Sequence, residues 1–123
     1  MRECLIVDDS RVIRKIARQI FEALGFTCRE AEDGAQAVTA CQQQIPEIVL
    51  LDWNMPVMNG IEFLRELRKM PNGGQPQVVF CTTETDLKHI QEALSSGANE
   101  YIMKPFDAEI VQSKLSQLGL LSS

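Results

Sequence analysis

Five polar side chains in this 123-residue chain stand at the ends of short apolar runs, and together they are the groups of a charged reaction centre. Asp8 and Asp9 follow Leu5-Ile6-Val7, and Asp52 follows Ile48-Val49-Leu50-Leu51. Thr82 follows Val78-Val79-Phe80-Cys81, and Lys104 follows Tyr101-Ile102-Met103. Three carboxylates gathered in one crevice repel: at about 4 Å two like charges cost ~1 kcal/mol in bulk water and ~4 kcal/mol at an effective dielectric of about 20. Either their pKa values rise or a cation binds. Oxygen-only donors select a hard cation, and few protein ligands, with room left for waters and a phosphate oxygen, favour Mg²⁺ over Ca²⁺. The backbone carbonyl of Asn54, two residues past Asp52, can complete such a shell. A carboxylate beside a divalent cation and a lysine is also a nucleophile toward phosphorus. That transfer asks mainly for positioning and charge neutralisation. In this scheme Lys104 neutralises one phosphoryl oxygen and the Thr82 hydroxyl bonds another.

Such a centre exists only if the elements bring the run ends together. Residues 3–7, 48–51 and 78–81 are nearly continuous apolar runs, the pattern of strands covered on both faces in a parallel sheet. Residues 27–30 are polar enough for an edge strand, and 101–103 form a short fifth strand. Between them lie helical periodicities. Ile13, Ile16, Ile20 and Leu24 predict one inward stripe after a Ser10 cap, with Gly25 at the helix end. Ala37, Val38 and Cys41 predict a second after Asp33-Gly34, and Ile61, Leu64 and Leu67 a third after an Asn59-Gly60 turn. Leu87, Ile90 and Leu94 predict a fourth, and Ile110, Val111, Leu115 and Leu118 a fifth. Residues 70–76 are dense in Pro, Gly and Asn and read as loop.

Strand then helix, five times over, is the α/β class: a (βα)5 doubly wound parallel five-stranded sheet with right-handed crossovers and helices on both faces. In such sheets ligands bind outside the carboxyl ends of the strands, where strand order reverses. Asp8, Asp9, Asp52, Thr82 and Lys104 are therefore expected to face one crevice.

Composition narrows the function classes. The length suits one domain, 1–123, that buries roughly two-thirds of its unfolded surface. A net charge of -5 and pI near 4.8 argue against non-specific binding to nucleic acid or anionic membrane. No apolar run approaches the roughly 20 residues of a membrane span, and Met1-Arg2-Glu3-Cys4 lacks the layout of a secretion signal. A cytoplasmic location is the expectation. Cys4, Cys28, Cys41 and Cys81 have no C-x-x-C spacing and read as small apolar side chains. The lone His89 reads as a surface helix residue.

Ile6-Val7-Asp8-Asp9-Ser10, Asp52-Trp53-Asn54-Met55-Pro56, Met58-Asn59-Gly60, Thr82 and Lys104-Pro105-Phe106 occur in an order and spacing that resemble the receiver domain of bacterial response regulators. Within that family the likeness is to the single-domain chemotaxis (CheY-like) receivers. The resemblance implies the flavodoxin-like strand order 2-1-3-4-5, for which that chemotaxis receiver is a standard example. It implies that Asp52 is phosphorylated by a sensor histidine kinase or a histidine phosphotransfer protein. Asp8, Asp9, Asp52 and the Asn54 carbonyl are then the Mg²⁺ ligands. Lys104 contacts the phosphoryl group, with a cis bond to Pro105. Thr82 and Tyr101 become a switching pair, consistent with the reward that a new dianionic group offers any approaching donor. Asn54 and Glu84 match the chemotaxis type at positions that tune dephosphorylation. Thr83 departs from the small residue usual after the switch threonine, which bears on access to Asp52. No residues are expected to remain for an output domain, so output falls to protein contact. A flagellar motor switch component in chemotaxis is the first reading, and a phosphorelay shuttle or stress-pathway receiver the second.

Two other classes fit less well. An aspartyl-phosphate phosphohydrolase of the haloacid-dehalogenase type places a second Asp two residues after its nucleophile, where this chain has Asn54. A flavodoxin-like cofactor binder needs a Gly-, Ser- and Thr-rich loop after the first strand, where Asp8-Asp9 would repel a phosphate.

Overall fold

The computed structural model describes residues 2–53, 55, 57–82 and 87–121. Strand and helix alternate as expected: β1 (Glu3–Val7), α1 (Arg11–Ala23), β2 (Thr27–Ala31), α2 (Gly34–Gln43), β3 (Ile48–Asp52), α3 (Gly60–Lys69), β4 (Gln77–Thr82), α4 (Leu87–Ser95), β5 (Glu100–Met103) and α5 (Ala108–Gln117). All strand pairs are parallel, in the order β2-β1-β3-β4-β5, so the polar strand 27–31 does form an edge.

Period-two alternation divides each strand between two cores. Leu5, Val7, Val49, Leu51, Val78 and Phe80 face Ala37 and Cys41 of α2, Phe63, Leu64 and Leu67 of α3, and Ala93 of α4. Cys4, Ile6, Ile48, Leu50, Val79, Cys81 and Ile102 face Ala17 and Phe21 of α1 and Val111 and Leu115 of α5. β1, β3 and β4 are thus buried on both sides, which is why their sequences are continuously apolar. All four cysteines are free and buried.

Caps set where the helices begin. The Ser10 side chain accepts from Ile13 N, Asp33 from Gln36 N, and Asp107 from Ile110 N. Asn59 goes further than a turn: with Glu62 it builds a reciprocal capping box that starts α3.

Two of the expected inward stripes, those of α1 and α4, are displaced by one residue, whereas in α5 Val111 and Leu115 are buried as expected and only Ile110 turns outward. In α1 the buried positions are Arg14, Ala17 and Phe21, while Ile16 is 41% exposed. One residue is about 100° of helix rotation, so α1 lies on the sheet by its alanine side, with Ile13, Ile20 and Leu24 flanking. In α4 it is Ala93 that is buried and Leu94 that is exposed. A small residue lets the helix axis approach the sheet more closely than a leucine would, so the alanines of α1 and α4 take the contact.

Candidate functional site

Register places the acidic groups. Val7 pairs with Leu51, so Asp8, one residue beyond, stands level with Asp52. Asp52 pairs with Cys81, and Thr82 with Met103, so Thr82 and then Lys104 follow along the same rim. Alternation puts Asp8, Asp52 and Lys104 on the α1/α5 side of the sheet, and the contacts agree. The Lys104 Nζ donates to Asp8 Oδ2 at 2.7 Å and to Asp52 Oδ1 at 2.9 Å. Asp9 is exposed at the mouth, yet one ligand oxygen each from Asp8, Asp9 and Asp52 lie within 4.8 Å of one another. The Lys104–Pro105 peptide bond is cis.

The electrostatics are those of like charges confined with too little water. Burial pushes the Asp52 carboxyl above its ordinary value; the Lys104 hydrogen bond pulls it back, and the Asp8 and Asp9 charges raise it again. Burial works against the Lys104 ammonium, but its bonds to Asp8 and Asp52 outweigh that and hold its pKa high. A cluster of hard oxygen donors, only partly neutralised by one lysine, fits a divalent hard cation such as Mg²⁺.

Thr82 is buried and falls on the other face of the sheet, the side of Phe80. Tyr101 pairs with Phe80 and packs on that same core, so Thr82 and Tyr101 share a face on neighbouring strands, one pleat repeat apart. Tyr101 is half-buried, with the Lys114 ammonium 5.2 Å from its ring centre. The Asn54 carbonyl, Pro56, Thr83 and Glu84 lie outside the described residues.

Three features of the site are not evident from the motifs. The first is a pair of close approaches. Gly60 N donates to Trp53 O, and a Cβ on Gly60 would strike the Asp52 carbonyl oxygen and the Phe80 ring. Gly34 N donates to Met58 O, and a Cβ there would strike the same residue. Both glycines press helix N-termini onto the segment that follows Asp52. The second is Trp53, whose ring lies 5.0 Å from Phe80 and 4.6 Å, edge-on, from His89. His89 is therefore no plain surface residue: it carries α4 onto the indole beside Asp52. The third is Arg14. Its Nη1 donates to the Asp8 backbone oxygen at 2.8 Å, its Nε to Glu30 Oε1 at 3.0 Å, and its Nη2 lies 3.7 Å from Glu32 Oε1. The signal for it exists in the sequence, since Arg14, Ala17 and Phe21 keep helical spacing and two glutamates, Glu30 and Glu32, stand at the end of β2 and just beyond it.

Five parallel strands in this order, with three acids and one lysine at their carboxyl ends, are the architecture of a receiver. The chain belongs to the response regulator receiver domain family, whose model matches residues 4–116. Among curated relatives it is similar to the chemotaxis protein CheY of Pseudomonas aeruginosa, 36% identical over 93% of each chain. It is equally similar to CheY-3 of Vibrio cholerae, 36% identical over 93% of this chain and 88% of the relative. Among solved structures, chemotaxis protein CheY4 of Vibrio cholerae superposes with a TM-score of 0.90 at 32% identity, covering 95% of this chain and 98% of that one. A CheY-like receiver domain protein of Methanospirillum hungatei gives 0.87 at 26% identity, over 96% and 93%. The chain is thus a CheY-like receiver, a signalling domain, and no helix among the described residues is long and apolar enough to cross a membrane.

Proposed function

We propose that this chain is a phosphorylation-driven switch in which Asp52 accepts a phosphoryl group from a histidine kinase or histidine phosphotransfer protein. The observation that carries the reading is the single ammonium of Lys104 shared by Asp8 and Asp52. An Asp52 oxygen attacks the phosphorus of a phosphohistidine; the new P–O bond forms as the P–N bond breaks, its electron pair leaving with the imidazole. Lys104 moves from its carboxylates to a phosphoryl oxygen, answering charge where it develops. Asp8, Asp9 and Asp52, with the Asn54 carbonyl, would hold Mg²⁺, which when bound supplies charge neutralisation between the acids and the incoming phosphoryl group.

The response runs through Thr82 and Tyr101. A phosphoryl group on Asp52 rewards approach of the Thr82 hydroxyl, and Tyr101, on the same sheet face one strand away, turns inward as Thr82 moves. That alters the α4-β5-α5 face. A groove of about 280 Å³ there, lined in part by Tyr101, Ile110 and Lys114, supports protein docking. The chemotaxis names of the relatives favour a flagellar motor switch component as the output partner. Asn54, Thr83 and Glu84 set the lifetime of the phosphorylated form.

Incubation with a phosphodonor and Mg²⁺, read by intact mass, should add one phosphoryl group to wild type and none to Asp52→Asn. Labelling of Asp52→Asn, or none of wild type, overturns the reading. Capture with the beryllofluoride–Mg²⁺ form should then recover a motor switch component. Recovery of only a histidine phosphotransfer protein would move the chain to a phosphorelay.

A further inference from the structure

Asp8 is held at every polar atom it has. Its N donates to Ala31 O at 3.1 Å, its Oδ1 accepts from Ser10 N at 2.9 Å, and its Oδ2 accepts from Lys104. The remaining atom, the backbone oxygen, accepts from Arg14 at 2.8 Å. That oxygen belongs to the peptide plane whose other end is Asp9 N, so whatever fixes it also fixes the direction in which Asp9 leaves the rim. Asp9 is exposed and makes no hydrogen bond recorded among the described residues, so its place within 4.8 Å of Asp8 and Asp52 rests on its backbone.

Arg14 is suited to this task in two ways. It is 7% exposed, and its planar guanidinium meets the carbonyl through Nη1 and Glu30 through Nε at once, two donors held in a fixed fork. Its charge is answered from the β2 side, by Glu30 and Glu32, and not by the carboxylates of the rim. The arginine therefore holds the acidic loop without neutralising it.

We propose that Arg14, clamped by Glu30 and Glu32, is a positioning residue for divalent-metal binding: it sets the Asp8–Asp9 peptide so that Asp9 converges with Asp8 and Asp52. The inference rests on the reading of those three acids as a Mg²⁺ site. Groups that orient metal ligands from behind typically change affinity by about 10–100-fold when removed.

The test is a calorimetric titration of purified, phosphate-free protein with MgCl₂, beside thermal unfolding in chelator. Arg14→Met should bind Mg²⁺ at least about tenfold more weakly while still folded. Arg14→Lys, which keeps the charge but not the planar fork, should fall between Arg14→Met and wild type. If Arg14→Met does not fold, Arg14→Gln takes its place with the same expected loss. A lower Tm with Mg²⁺ affinity within about twofold of wild type overturns the inference and leaves Arg14 a purely structural residue. Asp9→Asn in parallel separates the two claims. If it abolishes binding and the Arg14 variants do not weaken it, only the positioning role fails. If it leaves binding unchanged, the metal site itself is misplaced and both fail.

Discussion

Two half-buried cations stand at opposite ends of the sheet and are held in opposite ways. At the carboxyl end Lys104 touches Asp8 and Asp52, both anions. At the amino end Arg68, in the last turn of α3, donates to the backbone oxygens of Gly97 (2.6 Å), Gly73 (2.9 Å) and Pro76 (3.0 Å) and to Asn99 Oδ1 (3.1 Å). The pKa directions follow: the carboxylates raise that of Lys104 despite its burial, whereas burial lowers that of Arg68. A cation held by carboxylates can be traded for another cation or given a new anion. One held by carbonyls has nothing to exchange, and it closes loops. One helix serves both ends, since α3 begins with Gly60 against the Asp52 carbonyl and finishes with Arg68 in its cage.

The sharpest way to break this contrast is to remove each cation in turn. Arg68→Ala strands several carbonyls, each costing about 1–3 kcal/mol if left buried and unpaired. With partial access of water, a loss of about 2–4 kcal/mol in urea unfolding is expected, and Mg²⁺ affinity should stay at the wild-type value. Lys104→Met should do the reverse. It removes the positive charge that opposes a metal among the three acids, so Mg²⁺ affinity rises several-fold while phosphorylation slows. A large affinity change in Arg68→Ala, or none in Lys104→Met, would show that the two ends are not separate in kind.

Asp52→Asn tests the strain at the site end. Because burial and the neighbouring acids raise the Asp52 pKa in the fold, its ionised form is disfavoured there relative to the unfolded chain. That penalty is absent below the unfolded pKa, grows as pH rises from there, and levels off above the folded pKa. Removing the charge should raise the metal-free Tm by a few degrees at pH 7 and much less at pH 4. Glu30 behaves with the opposite sign. Arg18, then Arg14, hold its pKa down, so its contribution is present above the unfolded value and is lost as pH falls through the folded one. Glu30→Gln should flatten the acid side of the stability–pH curve, measured by thermal unfolding between about pH 3 and pH 6.

Much of the carboxyl-end site is legible in the sequence because a parallel sheet converts the end of an apolar run into a place on one rim. Asp8, Asp52 and Lys104 needed only that rule and period-two alternation to converge. The amino-end cage was not legible, since Arg68 is one more charged residue on an amphipathic helix, and its partners are three backbone oxygens, which leave no residue signature, and one amide oxygen far along the chain, on Asn99. The helix stripes fail for a related reason. Hydropathy gives the period of α1 and α4, but their phase is set by Ala17 and Ala93, whose small side chains score weakly. Arg14 keeps the helical spacing of the buried face of α1, but its burial depends on Glu30 of β2, a partner that hydropathy does not weigh. The Trp53–His89 contact joins a loop to a helix far along the chain, and nothing local announces it.

The smallest expected effect concerns backbone conformation. Among the described residues, each end of the sheet has one non-glycine residue with positive φ: Val57 at 69° in the segment after Asp52, and Asn72 at 62° in the loop beside Arg68. Asparagine tolerates this region, whereas a β-branched side chain is crowded there. Val57 is also 83% exposed, so its side chain gains little by packing. The strain therefore falls at the end that must change, and relaxed geometry at the end that only closes loops, an arrangement common where local strain serves function. Val57→Gly should stabilise the metal-free protein by about 0.5–1 kcal/mol, the steric relief of about 1–2 kcal/mol being offset in part by the added freedom of glycine in the unfolded chain. Asn72→Gly should change stability by no more than about 0.5 kcal/mol. Urea unfolding of both variants measures the difference, and equal effects would mean that the two ends carry the same backbone strain despite their different chemistry.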